Sequence, residues 1–468
     1  MPWPDLSTAR VGIWGFGLEG RAVLDVLAPA PAPGVAPAPG GPGPAARPGR
    51  GILVVDERAV PDTAERPGVE YAWGPAALDR LRGCDLVVVS PGIPRTHPFL
   101  DELAAAGTTL TTGSALWLES NAGRTVGITG TKGKSTTASL VHAILAQAGP
   151  AVLAGNIGLP LLAVPAGAEP VVAELSSYQC SWITRSPRIA VVTNLYEEHL
   201  PWHGGVERYW RDKARIATHG ADVLVCDAPT MDKLRSVDER VDAVRHLEIP
   251  GAGASIDGPD GRPVITVGEL PLHLRARHLV GAVRAAVLAA AAATGAVPTA
   301  GAVTAGLAGY TPLPHRQEVV AHAGGMVWVD DTLSTTAESV VAAVEAFRAP
   351  RVILIVGGQD RGISYRPLTD FLLRQAGRVE VVTIPSNGPS AVAEFAQRHP
   401  GRVHSAADLP GAVRAAARLG SPGAHVILSP GAPSYDFFTD YRQKGAVFRA
   451  AVDGLDAADL ARAAGHPE

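Results

Sequence analysis

Lysine is the scarcest charge in this chain: of 41 basic side chains in 468 residues, only Lys132, Lys134, Lys213, Lys233 and Lys444 are lysine. A chain so biased toward arginine keeps lysine where a compact point charge or a nucleophilic amine matters, because the two cations are not interchangeable there. Cysteine is nearly as rare. Cys84, Cys180 and Cys226 form an odd, sparse set without CxxC spacing, which excludes a disulfide framework and predicts buried, reduced thiols in a reducing compartment. Met1 to Arg10 has no basic stretch followed by an apolar one, so no secretory leader is expected and the cytoplasm is the expected location. The longest apolar run, Leu279 to Val297, is mostly alanine and carries Arg284. An arginine at that place is costly in a bilayer, so the run predicts a packed helix and no membrane insertion. A formal net charge of −4 gives no general pull toward nucleic acid or anionic lipid, and any anion must be caught locally.

What is present is a soluble, globular balance of 46% hydrophobic and 18% charged residues, long enough for about three domains. Buried-type strands alternate with helical stretches, the signature of α/β domains with parallel sheets. Segment 1–112 has strands at Val11–Trp14, Ile52–Val55 and Leu86–Val89, interrupted at 29–50 by an Ala/Pro/Gly-rich stretch. That stretch has too little apolar surface to order itself and reads as a flexible insertion. Segment 113–313 has strands at Thr125–Thr129, Val171–Leu175 and Ala190–Thr193, with a helix from Lys134 to about Ala148. Segment 314–468 has strands at Met326–Val329, Val352–Val356, Val379–Thr383 and His425–Leu428. The expected architecture is a Rossmann-like first domain, a central P-loop ATPase-like sheet and a Rossmann-like third domain.

The strongest local signal is Thr129-Gly130-Thr131-Lys132-Gly133-Lys134-Ser135-Thr136, between an apolar strand and a helix. Small glycines let backbone amides turn inward around phosphate oxygens, and the helix N-terminus adds its dipole. Lys134 would meet the β- and γ-phosphates of ATP and the Ser135 hydroxyl a magnesium ion. Ile128 stands where the common GxxxxGK[ST] loop has its first glycine. Earlier, Gly15-Phe16-Gly17-Leu18-Glu19-Gly20 follows a strand and Asp56 ends the next. Alone, this suits a dinucleotide, the diphosphate of a nucleotide-linked substrate, or glycines kept for packing.

Further motifs follow in order: Gly155-Asn156-Ile157-Gly158, Glu174-Leu175-Ser176-Ser177-Tyr178-Gln179, Asn194 through Glu198-His199-Leu200, and Arg211-Asp212-Lys213. Then come Pro314-His315-Arg316, Asp330-Asp331-Thr332, Gly357-Gly358-Gln359-Asp360-Arg361-Gly362, and Ser429-Pro430 through Ser434-Tyr435-Asp436. This ordered set resembles the Mur ligase family over nearly the whole chain, and its glutamate-adding branch in particular. The resemblance implies an ATP-dependent ligase of peptidoglycan precursor synthesis, joining glutamate to UDP-N-acetylmuramoyl-L-alanine through an acyl phosphate. It implies Lys134, Glu174, His199 and Lys213 as catalytic residues, with Lys213 carbamylated, and Ser135, Glu174 and His199 as ligands of two magnesium ions. Gly130 to Thr136, Arg316 and Asp331 would contact ATP. Gly15, Phe16, Gly17, Leu18, Asp56, Arg58, Ser90, Pro91, Gly92 and Asn156 would hold the UDP-linked substrate, and Thr335, Arg361, Ser434 and Tyr441 the glutamate.

The sequence departs from that family's pattern at telling places. Leu333 and Arg361 stand where the D-glutamate enzymes usually carry lysines, and Ser364 replaces an aspartate. Arginine can grip a carboxylate bidentately, so the pocket is redrawn and still takes an anion. Leu333-Ser334-Thr335-Thr336 and Asp360-Arg361-Gly362 look more like a branch that adds L-glutamate and relies on a separate epimerase; L-glutamate is therefore favoured, with D-glutamate the alternative. Leu279 replaces an asparagine that touches adenine, and Glu198 replaces an aspartate. Three other readings compete. A folylpolyglutamate synthetase should lack the first glycine-turn domain, and a non-catalytic nucleotide-binding protein should have eroded the retained Lys134, Glu174, His199 and Lys213. An NAD-dependent oxidoreductase rests on the first glycine turn alone.

Overall fold

The computed structural model describes residues 8–29, 51–58, 65–251, 253–271, 274–275, 277–310, 314–347, 349–360, 364–456 and 459–460. Apart from Pro29, the expected insertion at 29–50 lies outside them, as does Arg361. The described chain divides into two compact units, one running to Tyr310 and the other from Thr311 onward, with residues 276–278 grouped with the latter.

The first unit holds two all-parallel sheets. One has the spatial order Val69–Trp73, Ile52–Asp56, Val11–Trp14, Leu86–Val89, Thr109–Thr111. Its middle strands are buried almost throughout and show no polar alternation, because both faces are covered. Strand order reverses between Val11–Trp14 and Leu86–Val89, so the loops after them part at their carboxyl ends and open a crevice. The other sheet runs Arg245–Glu248, Val223–Cys226, Ile189–Val192, Thr125–Thr129, Val171–Glu174, Val152–Gly155. Its central strand, Thr125–Thr129, feeds the phosphate loop, and its neighbours end at Val192 and Glu174.

The second unit is a six-stranded sheet in the order Glu318–Ala323, Met326–Asp330, His425–Leu428, Val352–Val356, Val379–Thr383, Val403–Ser405. Only the first pair is antiparallel. Its hairpin turns on Gly324 and Gly325, at φ 62 and 71, the left-handed conformation that a two-residue turn of this type requires at both positions.

Strand ends agree with the sequence expectation to within a residue or so. The helix after the loop ends at Leu145 and not near Ala148, where the last turn tightens and the amides of Gln147 and Ala148 donate to the carbonyls of Ile144 and Leu145, three residues back. The alanine-rich run forms the helix Arg277–Thr294, whose Val283, Ala286 and Val287 lie in the core of the second sheet. Arg284 is tolerated there because its guanidinium donates to the carbonyls of Pro250, Gly251, Gly253 and Ser255. No helix among the described residues is long and apolar enough to cross a membrane. All three cysteines are free and buried.

Trp328 is fully buried in the second unit, and its indole N–H donates to the Ala323 carbonyl at 3.2 Å. Trp328→Ala is expected to destabilise that unit by roughly 3–5 kcal/mol, read as a lower denaturant midpoint.

Candidate active site

The phosphate loop is shaped before any ligand arrives. Gly130 has φ 140, and a Cβ there would fall 1.9 Å from the Thr193 hydroxyl, so only glycine fits. Gly133, at φ 80, turns the chain into the helix Lys134–Leu145. Asn194 clamps the turn. Its side chain accepts from Lys132 N at 2.8 Å and donates to the Lys132 carbonyl at 3.0 Å, while its own carbonyl accepts from Thr131 N at 2.9 Å. The Lys134 amine folds over the loop onto the Gly130 and Thr131 carbonyls, at 3.1 and 3.0 Å. Ser135 and Thr136 are buried in the first helical turn.

Beneath the loop lies Lys213, on the helix Val206–Thr218 and 1% exposed. Its amine donates to the Gly130 carbonyl at 2.7 Å and to the Thr129 hydroxyl at 3.1 Å. Burial, reinforced by the neighbouring Lys134 cation, lowers its pKa to about 7. The shift favours loss of its proton, and the free amine is the form in which lysine is nucleophilic. Glu174 ends its strand fully buried, with one carboxylate oxygen accepting from Asn156 Nδ2 at 2.8 Å. The other oxygen is buried without a donor among the described residues. A buried carboxylate oxygen left unmatched is costly unless a cation meets it, so the donor chemistry here fits a hard divalent ion such as magnesium.

Glu198 and His199 follow on the loop after Ile189–Val192. Burial would raise the Glu198 carboxyl, but Lys132, at 2.9 Å, with His199 and Lys134, outweighs it and holds its pKa down at about 2. His199 sits at φ 55, left-handed for a non-glycine residue. Its Nδ1 lies 2.9 Å from the Tyr178 hydroxyl and its Nε2 3.8 Å from Glu198. Sequence reasoning gave no role to Asn194, Tyr178, or the buried His203, whose ring nitrogens meet Asp212 at 2.6 Å and Ser177 at 3.0 Å. Asn194 and Tyr178 stand inside the quoted motifs, the one signal available for them.

At the crevice of the first sheet, Gly15 turns at φ 93, and a Cβ there would strike the Ser90 Cβ at 2.5 Å. Asp56 accepts from Phe16 N at 2.8 Å and from Arg58 N at 2.9 Å. Gly15 to Leu18, Asp56, Arg58 and Ser90 to Gly92 thus converge at one sheet edge, with Asp56 holding the turn through backbone amides. A cleft beside them is lined by Leu18, Glu19, Ser114, Asn156 and Gln179, which brings Asn156 of the second sheet to the same opening.

In the second unit, loops after three adjacent strands meet at one edge. Buried Asp331 accepts from the hydroxyls of Ser334 and Ser429 and from Gln317 N. Burial raises its carboxyl to about 6 against those donors. Ser334 in turn accepts from Gly431 N at 3.0 Å, tying the Thr335 loop to the one carrying Ser434. Ser434 is 3% exposed, and its hydroxyl has no partner among the described residues. Tyr441 begins the helix Tyr441–Asp453, its ring edge-on to His315 at 5.4 Å, and Arg316 follows His315. Leu279, in the first unit, packs half-buried against the core of the second sheet.

Comparison with known proteins gives two family matches: the Mur ligase middle domain over residues 128–242, and the "Mur ligase, glutamate ligase domain" over 315–431. A UDP-N-acetylmuramoyl-L-alanine–L-glutamate ligase of a Micromonospora species is 40% identical, covering 99% of both chains. The protein of that name from Salinispora tropica is 38% identical over 96% of this chain and 98% of its own. One from Xanthomonas euvesicatoria is 36% identical over 97% of each. Among solved structures, MurF of Thermotoga maritima in complex with ADP aligns with a TM-score of 0.57, at 16% identity over 87% of this chain and 90% of its own. MurC from the same organism aligns at 0.54, with 16% identity over 94% and 98%. These two share the three-domain α/β fold.

Gly130→Ala is expected to push Thr193 aside and reshape the loop, abolishing measurable ADP binding in calorimetry while the far-UV spectrum is kept.

Proposed function

The chain belongs to the Mur ligase family, and from that membership we propose that it joins L-glutamate to UDP-N-acetylmuramoyl-L-alanine, with ATP as phosphoryl donor. The near full-length likeness to L-glutamate ligases carries the choice of amino acid. The family's glutamate ligase domain covers the segment in which Leu333 and Arg361 depart from the D-glutamate pattern.

A carboxylate is a poor electrophile and must be activated. In this reading the γ-phosphoryl group passes to the substrate carboxylate, the glutamate amine attacks the resulting acyl phosphate, and phosphate leaves. Lys134 turns from the Gly130 and Thr131 carbonyls to the β- and γ-phosphates, and the amides of Gly130 to Thr136 cradle them. Ser135, Glu174 and His199 would hold two magnesium ions, which supply charge neutralisation between nucleotide and substrate carboxylate. The free amine of Lys213 adds carbon dioxide: a C–N bond forms, one proton leaves the nitrogen, and a neutral amine becomes a carbamate anion. Arg316 and Asp331 complete the nucleotide site.

The partition at 112 and 313 gives each domain one duty. The first, with Gly15 to Leu18, Asp56, Arg58 and Ser90 to Gly92, holds the uridine diphosphate, and Asn156 of the second reaches the same substrate. The third takes glutamate through Thr335, Ser434, Tyr441 and a bidentate Arg361. The cytoplasm, where ATP and UDP-linked sugars meet, is the compartment implied, and a separate epimerase would act on the L-glutamyl product.

Phosphate release with ATP, magnesium and UDP-N-acetylmuramoyl-L-alanine tests the proposal. Release is expected with L-glutamate and not with D-glutamate. Release with D-glutamate alone would overturn the amino acid, and silence with both would favour a non-catalytic nucleotide-binding protein. Lys213→Arg keeps the charge and cannot form a carbamate, so turnover should fall by roughly two orders of magnitude or more.

A further inference from the structure

Tyr178 belongs to the one-turn helix Ser177–Cys180 that follows the strand ending at Glu174. Its ring is clamped from several sides. Trp202 lies 4.5 Å away at an interplanar angle of 35°, and His203 stacks at 5.8 Å and 24°. Neither neighbour is loose: His203 is held at both nitrogens by Asp212 and Ser177, and the Trp202 indole donates to the Gly92 carbonyl at 3.3 Å. The position of the Tyr178 hydroxyl is therefore set by packing. That hydroxyl lies 2.9 Å from His199 Nδ1. The backbone of His199, at φ 55, occupies a region that non-glycine residues hold only when their surroundings impose it.

We infer that Tyr178 is a positioning residue for His199, its phenolic oxygen accepting the Nδ1 proton and fixing the tautomer in which Nε2 carries the lone pair. This rests on the reading of His199 as a metal ligand. An imidazole that binds a divalent cation through one nitrogen donates its other N–H to an acceptor, which sets both tautomer and ring orientation. Phenylalanine would fill the same space between Trp202 and His203 without offering that acceptor. The hydroxyl is thus separable from the ring that carries it, and it serves metal affinity where the ring serves packing.

The test uses manganese as the probe, titrated into the full chain with ADP and UDP-N-acetylmuramoyl-L-alanine and followed by electron paramagnetic resonance. Wild type, Tyr178→Phe and His199→Ala are compared, with thermal midpoints measured alongside. Tyr178→Phe should keep the wild-type midpoint and bind manganese at the histidine site about 10–100-fold more weakly. Its KM for magnesium should rise in step, with kcat recovered at saturating metal, and His199→Ala should lose that site. Wild-type manganese affinity in Tyr178→Phe, with loss in His199→Ala, overturns the positioning role and leaves the ligand assignment standing. Wild-type affinity in both variants overturns the two together. A lower midpoint with a kcat that added magnesium does not restore makes the hydroxyl merely structural and also overturns the inference.

Discussion

Burying an amine beneath a phosphate loop is the constraint around which the first unit is arranged. Lys213 has no carboxylate within ion-pairing distance among the described residues, and its amine is held by the Gly130 carbonyl and the Thr129 hydroxyl. A charged ammonium so placed loses most of its hydration, so the pocket favours the neutral form. The adjacent Lys134 cation works in the same direction. The Glu174 oxygen without a donor is the complementary defect. A buried acceptor without a donor and an amine disposed to lose its proton suit the site proposed above, one completed by cations and a carbamate.

Apart from the helix that carries Lys213, the elements that hold these groups are carboxyl ends of parallel strands. Thr129 leads into the loop, Glu174 and Val192 end the flanking strands, and Val11–Trp14 and Leu86–Val89 open the crevice of the first sheet. The second unit repeats the device, with Asp331, Ser429 and Gly357 following adjacent strands of its sheet. Strand order thus decides which residues can meet, and local contacts such as the Asn194 clamp decide how tightly.

Much of this was legible in the sequence. Runs such as Leu86–Val89 and Val352–Val356 are too uniformly apolar to be half-exposed, and the glycine loop announces both its strand and its helix. The alanine-rich run was legible as a helix, but how it accommodates Arg284 was not, because the four carbonyls that receive the guanidinium belong to residues 250–255, remote in sequence. The same holds for Asn194, for the His203–Asp212–Ser177 chain and for the Tyr178 hydroxyl. Each depends on a tertiary contact that no local spacing encodes. The helix end at Leu145 is likewise not legible, because the tightening of the last turn onto the Ile144 and Leu145 carbonyls leaves no mark in the spacing.

The central claim is that Lys213 is kept as a free amine so that it can become an acid. Carbon-13 spectroscopy of the protein equilibrated with labelled bicarbonate addresses it directly. A carbamate resonance is predicted that strengthens as pH rises through about 7, since deprotonation supplies the nucleophile, and that vanishes in Lys213→Arg. A spectrum without that resonance, or one that keeps it in Lys213→Arg, would contradict the account.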